Sequence, residues 1–271
     1  MAKKTAAYDN QSITALKGPD RVRKRPAVIF GSDGLEGCEH SVFEILSNSV
    51  DEARQGYGDT IEIRVFADHS IEITDWGRGV PLGWNEKEGR YNWELIYCEL
   101  YAGGKYNNNA EGASYEFSLG LNGLGACATQ YSSEYFEVTS FDGEYKYEVS
   151  FRKGRPIGTD GKPVVLEANP PREVLDRILR VSPLTKGERR TGTIQRWKPD
   201  IEVFTAIDIP LDYYLELLKK QAVVNAGLTF RLFWQSEPGS DKFEEYTFLY
   251  KNGIVDYVAE LAGEDALTEP V

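Results

Sequence analysis

The chain has 271 residues, with 31 Lys and Arg against 43 Asp and Glu and a formal net charge of −12. Duplex affinity is dominated by basic contacts to phosphate, so this balance argues against the chain being a main DNA-binding surface. No apolar run approaches the ~20 residues that span a bilayer, the Met-Ala-Lys-Lys start lacks a signal core, and three scattered cysteines (Cys38, Cys98, Cys127) have no metal spacing, so a cytoplasmic chain with reduced thiols and no membrane partner is expected.

Taken in order, residues 1–17 read as a polar arm with few core-forming positions. Arg21, Arg23, Lys24 and Arg25 then form the notable basic cluster, a run short enough to be a solvated or structural turn. A β/α layer is expected from about Pro26 to Arg152. Its first strong element is a helix over His40–Gln55, free of Gly and Pro, with Val42, Phe43, Leu46, Val50 and Ala53 on one face. Glu44, Asn48, Asp51 and Gln55 fall opposite. That stripe is either solvated or functional. It carries no Lys or Arg for intrahelical pairs. It does offer a carboxylate for general-base work and, four residues on, an amide oxygen suited to a hard cation.

Thr60–Phe66 and Ser70–Asp75 alternate about Asp68-His69 and predict a β-hairpin. Period two places Asp75 inward with Ile71 and Ile73. An inward carboxylate needs partners: either it caps its own turn, or it accepts from an exocyclic amine such as that of adenine. Gly77 and Gly79 would let the backbone approach such a base closely. Further on, Lys105 in Tyr101-Ala-Gly-Gly-Lys105 is either an exposed loop lysine or a phosphate cation. Gly120-Leu121-Asn122-Gly123-Leu124-Gly125 reads as a loop feeding a helix N-terminus, where a phosphate is favoured. The order is neither that of a dinucleotide-binding turn nor that of a Walker A loop. Strand pairs are expected at Tyr135–Ser140 with Tyr145–Phe151, at Gly192–Trp197, and at Leu228–Trp234 with Glu244–Tyr250. Helices are expected at Arg172–Val181, Leu211–Asn225 and Ile254–Leu261.

The helix bearing Glu44 and Asn48, the Asp75-Trp76-Gly77-Arg78-Gly79 turn and the Gly120–Gly125 loop together resemble the ATP-binding motifs shared by gyrase, heat-shock chaperone ATPases, histidine kinases and MutL proteins. Tyr8-Asp-Asn-Gln-Ser-Ile-Thr-Ala-Leu-Lys-Gly, Val22-Arg-Lys-Arg-Pro26, Tyr101-Ala-Gly-Gly-Lys105 and Thr191-Gly-Thr193 narrow the resemblance to the B subunits of bacterial type IIA topoisomerases. It runs from about Tyr8 to the C-terminus. It implies an α+β, two-layer sandwich of the Bergerat type, with a mixed, mainly antiparallel sheet and helices on one face. Residues 1–17 would be a dimerisation arm and residues 18–271 the ATP-binding subdomain, the transducer and DNA-cleavage regions being absent.

The resemblance also implies roles. Glu44 matches the base that activates water, and Asn48 the Mg²⁺ ligand, with Asp51 on the same helix. Asp75 matches the adenine anchor, with Thr193 beside it. Gly79 and Pro81 match the adenine-side wall, Arg78 the residue over the base edge, and Gly77 belongs to the same ATP-binding turn. Lys105 and Gly120, Leu121, Asn122, Gly123, Leu124 and Gly125 match the phosphate contacts, Lys105 also stabilising charge in catalysis. Tyr8 and Ile13 match the segment that crosses to a second protomer. The implied cofactors are ATP and Mg²⁺, and the implied partners a topoisomerase A subunit, DNA and an ATP-dependent homodimer.

Departures are Trp76 for Asp or Asn, Asn122 for His, Cys127 for a small or hydroxyl residue, Phe141 for Arg at the pocket mouth, and a longer connection over residues 158–189. A stand-alone nucleotide-binding regulator or chaperone-type ATPase is the alternative. A histidine kinase fits poorly, because His40 lies inside the ATP-binding helix itself.

Overall fold

The computed structural model describes residues 14–102, 123–166 and 170–263; Tyr8, Ile13, Lys105, Gly120, Leu121 and Asn122 lie outside the described residues. Two short helices, α1 (Asp20–Arg23) and α2 (Ala27–Phe30), lead into the long α3 (Leu35–Arg54). The hairpin β1 (Thr60–Val65) and β2 (Ile71–Asp75) follows, then a small hairpin, β3 (Trp84–Asn85) and β4 (Arg90–Tyr91), and α4 (Asn92–Cys98). After α5 (Gly125–Tyr131) come β5 (Ser133–Asp142), β6 (Tyr145–Arg152), β7 (Arg155–Ile157), α6 (Arg172–Leu175), β8 (Arg180–Pro183) and β9 (Thr191–Pro199). The last described elements are α7 (Leu211–Val224), β10 (Thr229–Trp234), β11 (Glu244–Phe248) and α8 (Ile254–Ala262).

The class is α+β, as expected. Among the described residues, a nine-stranded sheet runs β11-β10-β1-β2-β9-β5-β6-β7, with β8 beside β6. Of its described pairs, only β1 and β10 run parallel; the others are antiparallel. Register puts Ile61 beside Phe230 and Ile63 beside Leu232, and all four are buried against the helices. From α3, Val42, Ile45, Leu46 and Val50 meet this face, and from α7, Tyr214, Leu218 and Ala222 do so. Each large apolar side chain among them contributes about 1.5–3 kcal/mol of burial. The intervening positions of the same strands carry charge: Arg231 bridges Glu62 at 2.8 Å and Glu245 at 2.8 Å, and Arg64 bridges Glu62 at 3.0 Å. One face therefore packs helices and the other is polar, which makes two layers.

Two elements differ from expectation. Helix α3 begins at Leu35 rather than His40. Gly37, a helix-weakening residue, is tolerated because a Cβ there would lie 2.1 Å from the Ser32 carbonyl oxygen; the first turn needs a glycine for its close packing. In the second case only Arg172–Leu175 of the expected Arg172–Val181 helix is helical, and Arg180–Pro183 forms a strand instead. There the free edge of β6 offers backbone partners, with Glu148 opposite Arg180 and Tyr145 opposite Pro183. Pairing of an exposed edge outweighs local helix preference.

Candidate functional site

Asp75 ends β2 with its carboxylate inward and only 6% of its surface exposed. Its Oδ1 accepts the Gly77 amide at 3.0 Å and the Thr193 amide at 3.2 Å, while Oδ2 accepts the Ser49 hydroxyl at 2.8 Å. Burial nevertheless pushes its carboxyl above the usual range; the three hydrogen bonds pull it back, and the nearby Glu52 charge adds to the rise. The carboxylate retains acceptor capacity on Oδ2, since each ionised oxygen offers about two lone-pair sites. Capping its own turn is thus only part of its role.

The turn beyond Asp75 is shaped by close approaches. A Cβ on Gly79, where φ is +87°, would lie 2.3 Å from the Phe141 carbonyl oxygen. One on Gly192, where φ is +121°, would lie 2.1 Å from the Asp75 carbonyl oxygen. Both positions demand glycine on conformation and on space. Val80 is pinned from both sides: its amide donates to Thr193 Oγ1 at 3.1 Å, and its carbonyl accepts from Ser140 Oγ at 2.7 Å. Thr193 thus reaches Asp75 through its backbone and the turn through its hydroxyl. Arg78 is held by Glu52 through two bonds, Nε to Oε2 at 3.0 Å and Nη2 to Oε1 at 2.8 Å, and lies over the Tyr57 ring. Pro81 is exposed beside this turn.

Helix α3 is the spine of the site. Glu52 fixes Arg78, Ser49 fixes Asp75, and Glu44 reaches the glycine loop. A Cβ on Gly125, the first residue of α5, would lie 2.0 Å from Glu44 Oε2. The other oxygen, Oε1, is 3.0 Å from His40 Nε2. That bond to Glu44 raises the His40 pKa, against an opposing effect of burial. Asn48 donates its amide nitrogen to the Glu44 carbonyl at 3.0 Å, which fixes the plane of the amide. At 1.5 Å per residue, Glu44 to Glu52 spans about 12 Å along one helix. The carbonyl of Gly123, where φ is +58°, accepts from the Tyr101 amide at 3.0 Å, and Leu124 caps α5.

Glu44, Asn48, Asp75, Gly77, Arg78, Gly79, Thr193 and the Gly123–Gly125 end of the loop therefore gather around one helix. Asp51 differs from its expected place on an open polar stripe: it is 2% exposed. The stripe is half-buried at Glu44 and Asn48, covered at Asp51 and exposed at Gln55. Sequence reading missed Ser49, Glu52 and Arg190, whose partners lie on other segments. It also missed the pairing of His40 with Glu44, for which the i, i+4 spacing was the available signal. Among the described residues no group of three or more His, Cys, Asp and Glu is placed to hold a metal, and no helix is long and apolar enough to cross a membrane. The three cysteines are free thiols.

No protein-family model matches the chain. It is 33% identical to the B subunit of DNA gyrase from Thermotoga maritima over 268 residues, which is 97% of this chain and 37% of that protein. It is 34% identical to the B subunit of DNA topoisomerase 4 from Bacillus subtilis over 265 residues, 97% of this chain and 36% of that protein. The chain thus spans little more than a third of these relatives' length. Its fold superimposes on the crystal structure of the 43K ATPase domain of Thermus thermophilus gyrase B in complex with an aminocoumarin, with a TM-score of 0.69 and 29% identity over 94% of this chain and 58% of that one.

Proposed function

We propose that this chain, a homologue of the B subunits of DNA gyrase and topoisomerase IV with the fold of the gyrase B ATPase domain, binds MgATP with little turnover on its own and hydrolyses it as part of the whole enzyme. The observation that carries this reading is the spacing along α3. Near its C-terminal end the helix holds a buried, hydrogen-bonded carboxylate through Ser49, and at its middle it sets Glu44 against the first residue of α5.

Asp75 takes the exocyclic amine of adenine on Oδ2. Gly77, Gly79 and Pro81 wall the base, Arg78 lies at its edge, and Thr193 steadies the turn. At the far end the backbone of Gly120, Leu121, Asn122, Gly123, Leu124 and Gly125, with Lys105, receives the phosphates. Glu44 accepts a proton from the attacking water, and His40 holds the carboxylate at the angle the reaction needs. Asn48 would hold Mg²⁺. A single amide fits an ion that arrives on phosphate oxygens and keeps several waters, because Mg²⁺ rarely needs an all-protein cage. When bound, the ion supplies charge neutralisation on the phosphates.

In the whole enzyme the reading extends to strand passage. Residues 1–17, with Tyr8, form a dimerisation arm; residues 18–271 are the ATP-binding unit, to which Asp51 contributes from α3. The partners are a second copy, a topoisomerase A subunit and DNA, in a reducing cytoplasm. Glu44→Gln should leave MgATP affinity within a few-fold of wild type and, in the whole enzyme, lower turnover by ~10²–10⁴-fold. Equal turnover in both proteins would remove Glu44 as the base.

A further inference from the structure

Arg190 is a half-buried cation just before β9, and no step above uses it. Its Nη2 donates to the Asp75 backbone carbonyl at 3.0 Å. Its guanidinium also sits between two rings, 5.1 Å from the centroid of Trp76 and 4.7 Å from that of Phe141. Both are cation–π distances. The three residues come from three segments: the turn after β2, the end of β5 and the approach to β9.

The backbone explains why a side chain is needed here. The β2–β9 ladder stops at the Thr74–Ile194 pair. Just beyond it, Gly192 crosses too close to the Asp75 carbonyl for any side chain. Arg190 continues the link between the two strands with its guanidinium. Asp75 is thereby held twice: its carboxylate by Ser49, Gly77 and Thr193, and its carbonyl by Arg190. Contact with the Trp76 and Phe141 faces favours the position from which the guanidinium reaches the carbonyl.

We propose that Arg190 is a positioning residue for the base-binding carboxylate, and that the Trp76–Arg190–Phe141 stack sets the preference of the site for adenine over guanine. This rests on the reading that Asp75 receives the base. A carboxylate accepts the 6-amino group of adenine and repels the 6-keto oxygen of guanine. That discrimination depends on where the carboxylate points, because guanine carries N–H donors on the neighbouring edge. A turn free to shift by a fraction of an ångström would present Asp75 to those donors. The stack therefore acts on base choice, not on the phosphates.

The test is calorimetric titration of ATP, ADP and GTP, each with Mg²⁺, into wild type, Arg190→Met and Arg190→Lys, with thermal unfolding of each protein. Methionine keeps much of the stem between the rings and removes the donors; lysine keeps a cation and a donor. We expect R190M to bind ATP and ADP about tenfold more weakly, the size of one hydrogen bond. Its ATP-to-GTP ratio should narrow, its melting temperature should match wild type, and R190K should recover part of the loss. Wild-type affinity in R190M, an equal loss for ATP and GTP, or a loss for ATP without one for ADP would each overturn the proposal. Failure of the wild type itself to bind ATP would instead refute the underlying reading, and the proposal with it.

Discussion

At the scale of single residues the site is a set of costs accepted for recognition. Asp75 shows this most clearly, since burial raises its pKa even with three hydrogen bonds in place. A carboxyl with a raised folded-state pKa favours the fold in its protonated form. That contribution is fully present below the unfolded value of about 3.9 and is lost as pH rises through the folded value. At neutral pH the ionised Asp75 therefore weakens the empty protein. Asp75→Asn can keep the local bonds, with its amide oxygen accepting from Gly77 and Thr193 and its nitrogen donating to the Ser49 hydroxyl. The variant should melt above wild type at pH 7, and the gap should close as pH falls toward about 4. A wild-type protein that melts above the variant at pH 7 would show that the three bonds outweigh desolvation.

Much of this was readable in the order of residues. Period two alone turned Asp75 inward, and the Glu44–Asn48 spacing put both on one helix face. What could not be read was who answers them. Ser49, Glu52 and Arg190 carry no signal of their own in the sequence. Each acquires its role from a partner 26 to 115 residues away. Asp51 misled in the other direction, because helical angle reports a face and not how far along it the cover extends.

Elements matter through how closely they approach. The chain reaches the site by placing glycines where two backbones, or a backbone and a functional side chain, share one space. Gly125 is such a point: its missing Cβ leaves room for the Glu44 carboxylate at the start of α5. Gly125→Ala should displace Glu44, since the new methyl would also lie 2.9 Å from the Glu44 Cβ, which cannot swing away. The expected outcome is a turnover loss of ~10²-fold or more with ADP binding within a few-fold of wild type, as for a misplaced base. Steady-state kinetics beside an ADP titration would check it; unchanged turnover would mean that Glu44 is not held there for chemistry. The same logic explains the two misread elements. Gly37 hid the first turn of α3 because its value lies in packing against Ser32, and β8 was hidden because its pairing partner, β6, lies some thirty residues earlier. The long strands and α7 were legible because burial on one face follows period in sequence.

For the whole molecule, one helix and one sheet carry both ends of the site. The β2 turn, the start of β9 and the end of β5 form the proposed base end, and α3 carries the geometry across to the glycine loop. The homologues are more than twice as long as this chain, and the proposed nucleotide site is the part of their chemistry that lies within it. The most direct measurement is calorimetric titration of MgATP into wild type and Asp75→Asn. The account predicts one site per chain in the wild type and an affinity at least about tenfold lower in the variant, from loss of a charge-assisted hydrogen bond worth roughly 1.5–3 kcal/mol. Equal affinity in the two proteins, or no binding by the wild type, would contradict it.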